Sequence, residues 1–103
     1  MDIRYSEKNE VIELELTRDS NGDLFQAIAE EIAQTFKIQW KEKLSGLDQR
    51  YWDFEINGII LTLHLEHYLG ISIFADKTKT DIEKAKINLK EIGEHFKAWK
   101  PTT

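Results

Sequence analysis

The chain has no cysteine and a single proline among its 103 residues. Without cysteine there is no disulfide, no thiolate nucleophile and no Cys-ligated zinc or iron–sulfur centre. The opening Met1-Asp2-Ile3-Arg4-Tyr5 lacks the basic start and apolar run of a secretory signal. No apolar run approaches the roughly 18 residues that a membrane-spanning helix needs. These absences predict a cytoplasmic protein that makes no membrane contact. Positive charge is also scarce: 14 Lys and Arg stand against 19 Asp and Glu, a formal net charge of −5. General nucleic-acid binding draws its affinity from neutralised phosphates, so this balance argues against it. Neither GxxxxGKS/T nor GxGxxG occurs, so no nucleotide-phosphate cradle and no cofactor is expected.

What is present is a domain's worth of core. The apolar fraction is 41% and the aromatic fraction 11%, with three Trp, three Tyr and five Phe. A chain of this length buries about 65% of its unfolded surface, which predicts one domain over residues 1–103 with one core. Charge is uneven along it. Residues 1–36 hold nine acidic and three basic side chains, and residues 51–76 hold four acids and no Lys or Arg. Residues 77–103 reverse the sign, with seven Lys against four acids. An acidic front of this kind suits a basic protein partner, or solubility alone.

Periodicity supplies the elements. Ile12, Leu14 and Leu16 alternate with Glu13, Glu15 and Thr17, the period of a half-buried strand. Ser20 and Asp23 resemble a helix-start pair. Leu24, Phe25, Ile28, Ile32 and Phe36 then form a helical stripe. Residues 37–44 alternate again, which places Ile38, Trp40 and Leu44 on one face and Lys37, Gln39, Lys41 and Lys43 on the other. Glu42 falls on the apolar side of that pattern. The lysine row suits an edge strand, because charge discourages edge pairing. Asn57-Gly58 between two strand-like runs signals a two-residue hairpin turn. It sets Ile56 opposite Ile59, Phe54 opposite Leu61 and Trp52 opposite Leu63. On the other face Glu55 meets Ile60, Asp53 meets Thr62 and Tyr51 meets His64. A last strand runs Ile71 to Ala75. Thr80 and Glu83 look like a capping box, and Ile82, Ala85, Leu89, Ile92, Phe96 and Trp99 form the most regular stripe. Gly93 inside it suggests close packing, and Pro101 ends it.

The expectation is therefore an α+β two-layer sandwich. Its order is β-α-β-β-β-β-α, with about five antiparallel strands and both helices on one face. One sheet face stays open. It carries Tyr51, Asp53, Glu55, Ile60, Thr62, His64, Glu66, Ser72 and Phe74. Open faces are usually polar, whereas aromatic groups among polar ones are what interfaces look like. Cross-strand packing alone also favours such residues. Tyr51, Asp53, Glu55, His64 and Phe74 are the candidate partner-binding residues.

Other chemistry is thinly signalled. His64, Glu66 and His67 are the one cluster of metal-capable types, and they define an alternative reading as a metal- or ligand-binding protein or enzyme. They do not form the HExxH helix of zinc proteases, and a polar strand face ending in a turn accounts for them equally. Asp53, Glu55 and Glu66 lack the pocket that would desolvate an acid–base pair. Tyr51 and Ser72 beside His64 lack a marked oxyanion hole. No catalytic set is therefore assigned. Trp40, Trp52 and Trp99 fall on apolar stripes, as core residues do.

The stretch from Tyr51-Trp-Asp-Phe-Glu to Gly70-Ile-Ser-Ile-Phe looks like a small bacterial domain. In size, acidity, lack of cysteine and single-domain build the chain is similar to immunity proteins that neutralise co-encoded bacterial toxins. That resemblance transfers no functional residue. With no catalytic constellation and a mixed aromatic–acidic open face, the expectation is a non-enzymatic protein-binding module, an immunity protein or another inhibitor or adaptor, that binds its partner through that face. A homodimer through open faces or strand edges is the further expectation.

Overall fold

The computed structural model describes residues 1–101. Its elements are β1 (Arg4–Lys8), β2 (Val11–Thr17), α1 (Gly22–Phe36), β3 (Trp40–Ser45), β4 (Gln49–Ile56), β5 (Ile59–Glu66), β6 (Gly70–Asp76) and α2 (Ile82–Ala98). The sheet has six strands in the order β1-β2-β6-β5-β4-β3, every neighbour antiparallel. The sequence pattern gave about five strands. The addition is β1, whose residues are all exposed and carry no apolar alternation to reveal it. A tight turn at Asn9, with φ of 50°, folds it back onto β2.

The hairpin register is the one that Asn57-Gly58 dictates, from Ile56 against Ile59 to Tyr51 against His64. Both turn residues are left-handed, at φ 51° and 82°. Beyond it, β6 pairs with β5 so that Ser72 meets His64 and Phe74 meets Thr62. After α1, the four strands β3 to β6 form a meander that brings β6 back against β2.

Both helices cover one face. Leu14, Leu16, Phe54, Leu61, Leu63 and Ile73 meet Phe25, Ile28, Ile32, Leu89, Ile92 and Phe96 in a core with essentially no exposure. Fully burying each such side chain contributes about 1.5–3 kcal/mol, enough in sum to fix which face is inside. Trp52 is buried, and Trp40 and Trp99 pack partly against the same cluster.

Three local readings are corrected. The cap of α1 is Asn21, not Ser20, and its side-chain oxygen accepts from the amides of Asp23 and Leu24. The cap of α2 is Asp81, not Thr80, accepting from Glu83 and Lys84. In both places the Asx side chain one residue later, with its oxygen one carbon further out than a hydroxyl, reaches the orphan amides. In β3 the register shifts between Trp40 and Glu42. That bulge turns Leu44 to pair with Tyr51 on the open face, where it is exposed, and Glu42 to pair with Asp53. Lys43 swings to the helix side, its ammonium 4.4 Å from the Trp52 ring centroid. An extra residue in one strand reverses the facing of everything after it, so strict alternation fails here.

Candidate functional site

Nothing in the described residues covers the open face. Cross-strand pairing lays its side chains in rows. One runs Glu15, Ser72, His64, Tyr51, Leu44; the next runs Glu13, Phe74, Thr62, Asp53, Glu42. The Tyr51 and His64 rings stack at 4.5 Å between centroids and 17° between planes. Phe74 meets His64 edge-on at 5.8 Å. Three of the five candidate partner-binding residues thus form one aromatic cluster. Asp53 sits beside it, accepting from Thr62 Oγ1 at 2.6 Å. Glu55 lies apart at the β3 side, its carboxylate 3.2 Å from the Lys41 ammonium.

A hydrogen-bonded string fixes the lower end. The Tyr51 hydroxyl donates to Gln49 Oε1 at 3.0 Å, and Gln49 Nε2 donates to Glu66 Oε1 at 3.2 Å. The other Glu66 oxygen stands 3.7 Å from His64 Nε2, beyond hydrogen-bond reach. That nitrogen is buried and has no partner among the described residues. Burial depresses the pKa of His64 below its ordinary value, against the smaller opposing pull of Glu66 and Glu13. The ring is accordingly neutral at pH 7, and its contact with Glu66 is not an ion pair. Left without any partner, such a nitrogen costs about 1–3 kcal/mol.

Beside the cluster lies a cavity of ≈ 400 Å³, bordered by Glu13, Glu15, Arg18, His64, Glu66 and Tyr68. Its rim is set by Gly70, at φ 110°, where a Cβ would strike the backbone of Thr17 and Arg18. Sequence reasoning placed His64 and Glu66 on this face. It did not bring Glu13 and Glu15 to them, because that needs β6 inserted beside β2, a long-range pairing with no local signal.

The metal-capable trio separates. His67 lies in the turn, its ring tilted 52° to that of Tyr68, and borders a different cleft with Gly46, Leu47 and Asp48. Among the described residues no group of three or more His, Asp or Glu side chains is gathered to hold a metal ion. His95, on α2, instead bonds Glu31 of α1 at 2.6 Å and ties the helices together. Among the described residues no helix is long and apolar enough to cross a membrane.

A family model described as "Protein of unknown function (DUF3630)" matches residues 1–91. The chain belongs to the DUF3630 family. The DUF3630 match spans all six strands, so the open face and its cavity lie wholly within the family's shared region. No curated protein and no solved structure matches the chain.

Proposed function

We propose that this protein is a binding module that docks a basic protein partner on its open sheet face. The observation that carries the reading is the Tyr51–His64–Phe74 cluster, kept uncovered with a buried nitrogen unpaired. Aromatic groups in a polar surround are the residues that anchor interfaces. On the open side the four inner strands carry Glu13, Glu15, Asp53, Glu55, Glu66 and Asp76 and no Lys or Arg, while the edge strands add Arg4 and Lys8 opposite Glu15 and Val11, and Lys41 beside Glu55. Such a face attracts a positive partner and speeds its encounter. It also disfavours a second copy seated face to face, since that would oppose like charges. Immunity-type inhibition of a basic toxin is one form of this function, and the chain's size, acidity and lack of cysteine support it.

The test pairs the chain with the product of the neighbouring reading frame and measures affinity by calorimetry. Alanine at Tyr51, Asp53, Glu55, His64 and Phe74 together is expected to weaken binding by on the order of 100-fold or more, because buried anchors dominate such interfaces. Unchanged affinity in a variant that keeps its native circular dichroism overturns the assignment.

A further inference from the structure

We infer that the groove between β1 and α2 takes an extended acidic segment of a partner chain, added beside β1 as a further strand. The groove measures ≈ 450 Å³ and lies on the helix side of the sheet edge. It is apart from the open face, so a second partner can occupy it whatever the open face binds.

Strand β1 ends the sheet, and all five of its residues are exposed. An edge strand presents a row of N–H and C=O groups without a neighbour, the template on which an extended peptide adds. Positive charge flanks this edge on both sides. On the open side β1 carries Arg4, Ser6 and Lys8, which pair with Glu15, Glu13 and Val11. On the helix side Lys86, Lys90 and Lys97 border the groove. Their spacing of four and seven sets them along one flank of α2 over roughly 16 Å, the length of a five-residue strand. Two acids border the groove as well, and both are engaged. Glu7 lies 2.6 Å from the Lys77 ammonium and 3.5 Å from that of Lys86, and Glu94 lies 2.9 Å from that of Lys97. Lys90 makes no ion pair among the described residues. Beneath the lysines the groove meets the apolar Ile12 and Leu89, which lower the local dielectric and strengthen contacts made above them.

A strand about 4.8 Å outside β1 would lie along this flank, with alternate side chains directed at the lysines. Carboxylates there complement them. A second copy of the chain fits poorly. Antiparallel pairing of two β1 strands about Ser6 sets Arg4 against Lys8 and brings two lysine flanks together, like charge on both sides of the edge.

The probe is a capped heptapeptide of alternating Glu and Val. Its controls are the same peptide with Gln for Glu, and the acidic peptide N-methylated at every residue, which keeps the charge and cannot pair as a strand. Binding is read from NMR shifts of the amides of residues 4–8 and 86–97, and from hydrogen exchange of the β1 amides. The acidic peptide is expected to give saturable shifts at both segments and to slow exchange in β1. Each control should bind on the order of tenfold more weakly. Lys86→Gln with Lys90→Gln should weaken the acidic peptide by a similar factor, and Glu94→Gln should strengthen it a few-fold by freeing Lys97. The opposite direction of these effects guards against a trivial loss of fold. Absence of saturable shifts, equal affinity for either control, or indifference to both sets of variants overturns the inference. So does tighter binding of hexathymidylate at the same residues, which would make the groove a nucleic-acid site. A dimer in light scattering with the β1 amides already protected overturns it too, since a second copy would then hold the edge.

Discussion

The two faces of the sheet are built from the same strands and obey different rules. On the helix side, Phe54, Leu61, Leu63 and Ile73 are sealed against both helices. On the other side, their immediate neighbours Asp53, Thr62, His64 and Phe74 meet only side chains of the same sheet face, and Ile60 and Leu44 reach solvent. Among the described residues no buried side-chain nitrogen or oxygen on the covered face lacks a partner. The open face keeps an unpaired nitrogen, an aromatic stack and an acid-lined cavity. Stability explains the first set of residues and leaves the second over, which is why function is sought on the open side.

The sharpest way to break that contrast is to truncate one aromatic on each side. Phe54→Ala leaves a cavity between Trp40 and the helices and should cost about 3–5 kcal/mol in urea denaturation. Tyr51→Ala on the open face should cost about 1 kcal/mol or less. Equal losses would make Tyr51 interior and the proposed docking surface untenable.

A smaller effect probes how closely the covered side is packed. A Cβ on Gly93 would run into the Tyr5 hydroxyl and Ile3, where α2 crosses the β1 edge. Both are free ends of flexible side chains and can give way, so Gly93→Ala should destabilise by about 1 kcal/mol or less, the displacement only narrowly outweighing the roughly 1 kcal/mol by which a helix favours Ala. Adding Tyr5→Phe removes the clashing oxygen and should recover part of the loss. A stabilised single variant would show that the helix stands off the sheet there.

On the open side, His64 predicts a pH dependence. Its folded pKa lies below its ordinary value of 6.5 because burial outweighs Glu66 and Glu13; Tyr51 stacks on the ring and Glu15 borders the same cavity. The unfolded chain then binds the proton more readily. Stability from this group is full above 6.5 and is lost as pH falls through the lower folded value. Thermal melts of His64→Leu should vary less with pH than wild type between about pH 5 and 7. Parallel curves would show that the ring titrates as if solvated.

The least change is expected from the half-exposed bond between His95 and Glu31. Glu31→Gln should cost about 0.5–1 kcal/mol and leave open-face binding untouched. Altered affinity for the partner would show that the helix layer and the open face are coupled.

Much of this architecture was legible before any coordinates. Asn57-Gly58 set six cross-strand pairs, and those pairs placed Tyr51 against His64. Helical spacing marked Phe25, Ile28 and Ile32, and Leu89, Ile92 and Phe96, as buried. The reading failed where backbone geometry departs from strict period. The bulge after Trp40 sent Leu44 outward and Lys43 inward. Strand β1 escaped because Arg4-Tyr5-Ser6-Glu7-Lys8 pairs through its backbone and buries none of its residues. Both caps fell one residue later than expected, since Asn21 and Asp81 outcompete the hydroxyls before them.

By itself the sequence determined which side of each regular strand is greasy, the register of the central hairpin and the stripe by which each helix docks. Those are local properties, written in periods of two and 3.6 and in one turn dipeptide. Tertiary structure alone decided that β6 lies between β2 and β5. That insertion joins residues nearly sixty positions apart, Glu15 and Ser72, and closes the acidic cavity beside His64. No local pattern encodes it, because strand order is settled by which complete arrangement buries both helices' stripes at once.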